Sequence, residues 1–482
     1  MRFYWLIFIV FFCSHFTLQA QKVEDVILQL AGDPAMKHGI MGFALIDQNS
    51  GLVKATYQPN ASLIPASSLK VLTCAYGLEM LGQDFKFKTE LQYTGQIDKY
   101  GTLHGDVILK GYGDPTLGSV MTDGADDLNN VLNQFVNAIK KKGIKRIQGR
   151  IIGDATYLSA EGIYDSWAYY DLGNYYAAGV YGLNINDNLY SVNYRQSKEG
   201  SMPQISTTNP EISGVKFKSE VVSTGLNDNA YIYGGPHQYH LTVRGSIPPG
   251  TGNFKIKGAM PEPPLQAAQL LSTALIKSGI KVSLSPISSL RDKMPGGKRN
   301  IILTHYSQDL ATIIKATLLH SLNLNTEAIL RQCGVVLSKE KTIAAALKAF
   351  TDFAVKLTGE GSGFFIRDGS GLSTANAVPA LGFSKLMVHF IKNEAISNII
   401  LSALPMMGVS GTLKSYLNNS PATGKITAKT GSMDRVRSFS GRIIGKSGQT
   451  YVFTLILNNY ECTSMEIKSK IETFFTQLYL SL

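Results

Sequence analysis

The order of hydrophobic patterns along the chain is the feature that most constrains its fold. Between residues 42 and 57, two apolar stretches flank an Asn-Ser-Gly turn, which predicts a hairpin of two strands. From about 92 to 293, strand-like segments alternate with glycine, proline and asparagine turns. Helical patterns then dominate to about 390, and a second hairpin is predicted between 435 and 457. At 482 residues with 44% hydrophobic content, the chain can form two or three packed domains.

The last segment of the chain predicts an amphipathic helix. Its apolar residues recur on one helical face: Ile467, Ile471, Phe474, Phe475 and Leu478. We expect this face to pack on the preceding hairpin, and anchoring at a membrane surface is the alternative for a helix of this kind.

The N-terminus has the pattern of a cleavable export signal. Arg2 precedes an apolar run that ends at Phe12, and small residues follow near Ala20. This pattern predicts a signal peptide at residues 1–20 and a mature chain beginning near Gln21. An anchor helix is the alternative, but the run is shorter than the ~20 apolar residues of a membrane span. The sequence therefore predicts a periplasmic protein with no transmembrane segment after signal cleavage.

Charge and cysteine content exclude several functional classes. The net charge of +11 is spread along the chain without a basic block, so no nucleic-acid partner is predicted. In an exported protein this balance suits either an anionic polymer or a generally solvated surface. Cys74, Cys333 and Cys462 lack C-x-x-C spacing and are expected as buried thiols rather than disulfides. His237 and His240 have no further ligand spacing, so we predict neither a metal nor a cofactor.

The first candidate catalytic motif is S-x-x-K, running from Ser67 to Lys70. Pro65 gives a rigid entry to a predicted helix, and residues three apart share a helical face, so Lys70 can reach the Ser67 hydroxyl. A serine nucleophile needs such a base, and the helix N-terminus adds N–H groups for a developing negative charge. The motif recurs without a proline-led entry into an apolar helix at Ser213, Ser278 and Ser338.

The second candidate motif is S-x-N, formed by Ser321 and Asn323. A helical pattern follows from Asn325 to Gln332. A hydroxyl and an amide presented on the same side of a loop can relay a proton and orient a substrate amide. The same spacing recurs at Ser191, so this motif is weak by itself.

The third candidate motif is K-T-G-S at residues 429–432, on a strand-like segment. A cation and a hydroxyl suit a ligand carboxylate, and the neighbouring glycine permits close approach to the backbone. K-S-G recurs at Lys277 and Lys446, where a helix end and a hairpin turn account for it.

The three motifs are far more specific in combination than alone. Their order, S-x-x-K then S-x-N then K-T-G, resembles that of the D-alanyl-D-alanine carboxypeptidase/endopeptidase family, the low-molecular-mass class C penicillin-binding proteins. The resemblance runs from about residue 26 to the C-terminus and includes G-D-P-T-L at 113–117, D-G-S-G-L-S at 368–373 and G-T-L at 411–413. This family fills the long gap between the first two motifs with inserted domains, which argues against the shorter β-lactamases.

The resemblance implies a fold, a division of the chain and an activity. The fold class would be α/β (α+β), the penicillin-binding/β-lactamase-like serine transpeptidase fold, with an antiparallel sheet flanked by helices. The catalytic domain would comprise 21–90 and 296–482, and 91–295 would be a large β-rich inserted region. The activity would be hydrolysis of the D-Ala-D-Ala bond through an acyl-serine intermediate, with peptidoglycan stem peptides and β-lactam antibiotics as partners. Cleavage of D-Ala-diamino acid cross-links is the endopeptidase alternative, and the sequence does not decide between the two. A non-catalytic wall-binding protein and a serine esterase or β-lactamase are the alternatives.

The resemblance also implies roles for the first two motifs. Ser67 would be the nucleophile, and Lys70 its base, held neutral because the second cation at Lys429 disfavours its protonation. Ser321 would pass the proton to the leaving D-alanine, and Asn323 would hold the substrate backbone.

The third motif would bind the end of the substrate. Lys429 and Thr430 would bind the terminal carboxylate, and Gly431 would let the backbone approach closely. The N–H groups of Ser67 and Ser432 would form the oxyanion hole.

Substrate choice depends on a departure from the family pattern. Family members commonly carry an arginine just after D-G-S-G-L-S, facing the diamino acid of the stem peptide, whereas this chain has Thr374. Met433 matches an apolar wall of that pocket, and Asp154 is the candidate acid for the substrate's free amine. We expect residues 368–373 to form an ordinary turn that shapes the cleft indirectly. Six tyrosines could line a glycan groove, although packing is the favoured interpretation: Tyr164, Tyr169, Tyr170, Tyr175, Tyr176 and Tyr181.

Overall fold

The computed structural model describes residues 22–482 except Glu360 and Ser362. The predicted signal peptide at 1–20 lies outside the described residues. Ten α-helices run through the described part of the chain: α1 (Val23–Ala31), α2 (Lys70–Leu81), α3 (Leu128–Lys141), α4 (Pro263–Lys277), α5 (Leu310–His320), α6 (Asn323–Ser338), α7 (Ile343–Thr358), α8 (Ala380–Lys392), α9 (Glu394–Ala403) and α10 (Ser464–Ser481).

Strands in the same described residues form sheets in both halves of the sequence. They are β1 (Ile40–Asp47), β2 (Val53–Tyr57), β3 (Ser62–Leu63), β4 (Lys88–Tyr93), β5 (Gln96–Ile97), β6 (Thr102–His104), β7 (Val107–Gly111), β8 (Arg146–Ile147), β9 (Ile151–Asp154), β10 (Leu189–Arg195), β11 (Gln204–Asn209), β12 (Lys216–Ser223), β13 (Tyr231–Tyr233), β14 (His240–Ile247), β15 (Asn253–Ala259), β16 (Lys281–Val282), β17 (Ile287–Ser288), β18 (Asn300–Tyr306), β19 (Val378–Pro379), β20 (Ile426–Met433), β21 (Val436–Ile444) and β22 (Thr450–Asn458).

The first sheet joins strands from the two ends of the chain. Its order is β2-β1-β22-β21-β20, and every neighbouring pair is antiparallel. Both predicted hairpins are confirmed, since β1 pairs with β2 and β21 pairs with β22. The fold class is therefore the expected one, an antiparallel sheet flanked by helices.

Alternate residues of β22 explain why helices cover both faces of this sheet. Val452 and Ile456 face a cluster formed with α2, α6 and α8, whereas Phe453 and Leu455 face α1 and α10. Side chains of a strand point alternately to opposite faces, so a strand with apolar residues on both faces needs two covering layers. The prediction for α10 is confirmed, because its apolar face is buried against this sheet.

The middle of the chain builds four further sheets around a separate apolar core. A five-stranded sheet has the order β17-β9-β7-β4-β18, and a four-stranded sheet has the order β16-β8-β6-β5. In each of two helix–glycine–strand units, a glycine with positive φ lies between the helix and its strand. Gly143 (φ 84°) connects α3 to β8, and Gly279 (φ 92°) connects α4 to β16.

Two smaller expectations can also be compared with the structure. No helix among the described residues is long and apolar enough to cross a membrane. The three cysteines among residues 22–482 are free thiols, and Cys74 and Cys333 are buried as expected, whereas Cys462 is only partly buried.

Candidate active site

Ser67 lies in a tight turn rather than at the start of an α-helix. The turn is a 3-10 helix, Ala66–Leu69, and α2 begins only at Lys70. Ala66 is fully buried with a φ of 46°, a left-handed conformation that non-glycine residues rarely adopt. The turn therefore presents a partly exposed Ser67 on a strained backbone held in place by its surroundings.

Two glycines allow this turn to be enclosed. A Cβ on Gly371 would lie 1.9 Å from the Ala66 carbonyl oxygen, and a Cβ on Gly431 would lie 2.4 Å from the Pro65 carbonyl oxygen. The Ser438 hydroxyl also donates to the Pro65 carbonyl. Only glycine permits this approach, so the D-G-S-G loop and strand β20 both pack directly on the turn.

Lys70 is the base nearest to the Ser67 hydroxyl. Its Nζ lies 2.8 Å from Ser67 Oγ and 2.6 Å from the Ser370 carbonyl oxygen. Burial lowers the pKa of Lys70 to about 8, against the opposing effect of the Asp368 and Glu327 carboxylates. The main cause is thus desolvation, not the expected charge of Lys429.

The D-G-S-G-L-S loop is more than the indirect element predicted from the sequence. Its Ser370 carbonyl accepts a hydrogen bond from Lys70, so the loop contacts the base itself. Asp368 is fully buried and accepts from the backbone N–H of Gly371 (2.7 Å) and of Ser373 (2.6 Å). It also accepts from the indole N–H of Trp167 at 2.8 Å. The carboxylate therefore fixes the loop from within.

The S-x-N residues lie between two helices. Ser321 ends α5 in a left-handed conformation, with φ 60° and ψ 45°. Asn323 begins α6, two residues before the predicted helical pattern, and its Nδ2 donates to the Tyr176 carbonyl at 2.6 Å. Both side chains are partly exposed.

The K-T-G-S residues form the end of β20, as the sequence predicts. Lys429 is fully buried, and its Nζ donates to the Thr430 carbonyl at 3.1 Å. Burial, with a further effect of the Lys70 charge, holds the pKa of Lys429 well below its usual value. The Thr430 and Thr412 hydroxyls share a hydrogen bond of 3.0 Å, while Ser432 is exposed.

The residues expected to choose the substrate have different surroundings. Asp154 is fully buried at the end of β9, in ion pairs with Lys110 (3.1 Å) and Arg299 (2.6 Å). Burial raises the pKa of Asp154, but hydrogen bonds, chiefly from Arg299, outweigh it and bring the value to about 2. Its carboxylate is thus paired within the protein and is not the open acid expected for a substrate amine. Thr374 is exposed in a turn, and Met433 is partly buried.

The tyrosines divide between packing and surface. We call residues 159–181 the tyrosine segment. Tyr164 and Tyr181 are buried as the packing interpretation expects, whereas three tyrosines are about half exposed or more: Tyr169, Tyr170 and Tyr175. Trp167 and the Tyr176 carbonyl tie this segment to the D-G-S-G loop and to Asn323.

Sequence reasoning missed two residues of α6 that complete these links. Glu327 and Arg331 follow Asn323 at intervals of four and lie on the same face of the helix. The Arg331 side chain donates to the Glu161 carbonyl at 2.6 Å, and Glu327 accepts from the Ser370 N–H at 2.6 Å. The spacing of four between Asn323, Glu327 and Arg331, which places two charged residues on the helix face of the S-x-N motif, was the signal that could have revealed them.

The fold and this site define a serine enzyme of the penicillin-binding class. The chain belongs to the D-Ala-D-Ala carboxypeptidase 3 (S13) family, whose sequence model matches residues 20–478. It is 25% identical over 454 residues to a D-alanyl-D-alanine carboxypeptidase of Actinomadura sp. strain R39, covering 90% of this chain and 80% of that protein. It is also 25% identical over 443 residues to the D-alanyl-D-alanine carboxypeptidase DacB of Haemophilus influenzae, covering 89% and 88%.

A solved structure shows the same fold. Penicillin binding protein 4 from Haemophilus influenzae superposes with a TM-score of 0.77 at 22% identity, covering 95% of this chain and 98% of that one. The chain is accordingly a serine peptidase of the D-Ala-D-Ala carboxypeptidase family that acts on peptidoglycan.

Proposed function

We propose that Ser67 is the nucleophile and Lys70 the general base of a DD-peptidase. The observation that carries this assignment is the 2.8 Å contact between Lys70 Nζ and Ser67 Oγ, made by a fully buried amine. A lysine can accept a proton only when it is neutral, and burial with a pKa of about 8 makes the neutral form accessible near neutral pH.

The reaction then follows from the positions of the side chains. Lys70 takes the hydroxyl proton while Ser67 Oγ attacks the carbonyl carbon of the penultimate D-alanine. Backbone N–H groups of Ser67 and Ser432 stabilise the oxyanion, a type of contact worth ~3–4 kcal/mol of barrier. The C–N bond breaks as Ser321 gives its hydroxyl proton to the leaving D-alanine nitrogen and receives in return the proton held by Lys70. Water then attacks the ester and gives a proton to Lys70, which passes it to Ser67 Oγ as the acyl bond breaks, leaving the shortened peptide and the free Ser67 hydroxyl.

Lys429 and Thr430 bind the terminal carboxylate of the substrate in this proposal, with Gly431 allowing close approach of the strand. Lys429 is buried, so a bound carboxylate would supply the counter-charge that its surroundings otherwise withhold. Asn323 offers its side-chain oxygen to a substrate N–H, while its amide nitrogen remains on the Tyr176 carbonyl.

The finer boundaries and the location are also proposals. Residues 1–20 act as the signal peptide of a periplasmic protein whose ligands include β-lactams. The catalytic domain combines the two ends of the chain around an inserted region, as the shared sheet supports. Strand β18 pairs with β4 in a sheet of the inserted region, which favours a second boundary after Tyr306 rather than at 296.

Labelling with a fluorescent penicillin tests the proposal. The parent protein should form a stable adduct on Ser67, found by mass spectrometry of the labelled peptide, and Ser67→Ala should not label. Ser213→Ala is the matched control at another S-x-x-K and should label normally. Labelling of Ser67→Ala would contradict the assignment, and rapid release of the bound penicillin would favour a β-lactamase. Release of D-alanine from a monomer peptide or cleavage of a cross-linked dimer separates carboxypeptidase from endopeptidase action.

A further inference from the structure

Glu327 is buried behind the proposed base and outside the three motifs. It lies on α6, one turn after Asn323, and its side chain has no solvent exposure. Its carboxylate accepts from the N–H of Gly369 at 3.0 Å and from the N–H of Ser370 at 2.6 Å. A carboxylate withdrawn from water is costly unless hydrogen bonds compensate it, so these backbone donors are the reason that the charge can exist there.

Two consecutive peptide units of the loop each link a carboxylate to a side chain of α2. The peptide between Gly369 and Ser370 donates its N–H to Glu327 and accepts from the Thr73 hydroxyl at 2.7 Å. The next peptide donates the Gly371 N–H to Asp368 at 2.7 Å, and its Ser370 carbonyl accepts from Lys70 Nζ at 2.6 Å. Hydrogen bonds to both ends of one peptide unit polarise each other, so Asp368 strengthens the carbonyl that accepts from Lys70, and Glu327 strengthens the neighbouring carbonyl that holds the loop on Thr73.

The 368–371 loop packs closely on α6 and contacts the Lys70 amine. A Cβ on Gly369 would approach Leu330 Cδ2 to 2.9 Å, so α6 and the loop are packed as closely as glycine allows. The Ser370 carbonyl is one of the two groups that hold the Lys70 amine, the other being Ser67 itself. A shift of the loop therefore moves the base relative to its nucleophile.

Glu327 also has a titration of its own. Burial and the neighbouring Asp368 charge raise the pKa of Glu327 to about 7. The other groups that interact electrostatically with it are Lys70 on α2, Arg331 on its own helix and Tyr164 of the tyrosine segment. Protonation replaces an acceptor by a donor, which the loop N–H groups cannot use.

We propose that Glu327 is a positioning residue of the acylation step, holding the 368–371 loop on α2 so that the Ser370 carbonyl aligns the Lys70 amine with Ser67. This inference rests on the proposed function of Ser67 and Lys70. The ionised form of Glu327 is the competent one, so the acid limb of the pH–rate profile contains the titrations of both Glu327 and Lys70.

Acylation kinetics of Glu327→Gln test this role. Penicillin binding before acylation should stay within about twofold, whereas the acylation rate constant should fall on the order of 10²-fold, the effect of a small misplacement of a reacting group. The Glu327 charge raises the pKa of Lys70, so its removal should also move the midpoint of the pH profile to lower pH. Glu327→Asp keeps the charge on a shorter side chain, and should lose rate while keeping the midpoint of the parent.

A second buried carboxylate provides the matched control. Glu262 is 3% exposed and pairs with Arg291 at 2.5 Å in the inserted region, so Glu262→Gln removes a similar charge elsewhere. It should leave acylation unchanged. Melting temperatures of all variants identify any loss of folding, and Glu327→Asp serves if Glu327→Gln does not fold.

The outcomes separate this inference from the proposed function. If the parent is acylated on Ser67 but Glu327→Gln retains its rate and pH midpoint, the inference is wrong and the proposed function stands. The inference is also wrong if Glu262→Gln loses as much acylation rate as Glu327→Gln. It is equally wrong if Glu327→Gln loses rate and melting temperature while the midpoint of its pH profile stays unchanged. If the parent is not acylated on Ser67, both fall together.

Discussion

Arg331→Met removes the buried cation that ties α6 to the tyrosine segment. The Arg331 side chain is 1% exposed. Its guanidinium donates to the Glu161 carbonyl at 2.6 Å and to the Ser159 hydroxyl and Lys341 carbonyl at 2.9 Å each. Methionine is similar in length and fits an apolar helix, but it has no donor for any of these oxygens.

These three short hydrogen bonds, together with a longer one to the Val180 carbonyl at 3.4 Å, are lost and set the expected magnitude. A hydrogen bond to a charged group contributes ~1.5–3 kcal/mol net, and a buried carbonyl left without a donor costs ~1–3 kcal/mol. Burying methionine avoids the desolvation cost of the guanidinium, which offsets part of this loss. We therefore expect Arg331→Met to lower the free energy of unfolding by about 3–5 kcal/mol, in the range seen when one partner of a buried charged contact is removed.

Tryptophan fluorescence reports on the tyrosine segment, which Arg331 ties to α6. From Gln21 onward the chain contains a single tryptophan, Trp167, whose indole donates to the buried Asp368. Urea unfolding followed at this residue measures the transition that includes the tyrosine segment. Arg244→Met is the matched control, because Arg244 is 55% exposed in a surface ion pair whose charges are screened by solvent, and its replacement should change stability little. If the two variants lose the same small amount, the argument from buried hydrogen bonds is refuted.

Four further predictions concern activity and specificity. Because the neutral amine is active and the pKa of Lys70 is about 8, acylation by penicillin should rise about tenfold between pH 7 and 9 from this group alone, and about twentyfold if Glu327, with a pKa of about 7, must also be ionised; a flat profile would exclude Lys70 as the base. Lys429→Ala should weaken binding of ligands with a free carboxylate more than of amide-capped ones, measured as kcat/KM; an equal loss points to folding. Asp154→Asn should lower the melting temperature through its two ion pairs without changing substrate preference, as peptide assays would reveal. Thr374→Arg should increase discrimination for diaminopimelate over lysine by ~1–2 kcal/mol, and an unchanged preference removes Thr374 from the pocket.

Much of the fold was predictable because its signals are local. The hairpins, the helix that follows Ser67 and the buried face of α10 each come from apolar periodicity within twenty residues. The spacing of Ser67 and Lys70 carries over even though the serine lies in a 3-10 turn, since residues three apart are also neighbours there. The predicted contact between Ser67 and Lys70 is therefore present, although the sequence predicted an α-helix where the structure has a 3-10 turn.

The interactions that were missed join distant parts of the sequence. Asp154 has the sequence context of an exposed acid, and only the pairing of β9 beside β7 and the approach of Arg299 reveal its ion pairs. The link from Arg331 to Glu161 spans 170 positions, and the link from Lys70 to Ser370 spans 300. Periodicity cannot report which loop a buried polar side chain will meet, because that depends on the topology of the whole chain.

The burial of Lys70 also determines its chemistry as a base. Desolvation is the main reason that its pKa lies near 8 rather than at 10.5, and the loop that encloses the amine contacts it through the Ser370 carbonyl. A side chain at residue 371 or 431 would collide with the Ala66 or Pro65 carbonyl and push the loop or strand away. Water admitted by that gap would raise the pKa of Lys70 towards its usual value and so remove most of the neutral lysine that is present near neutral pH. These two glycines therefore act on catalysis through solvation, without a functional group of their own.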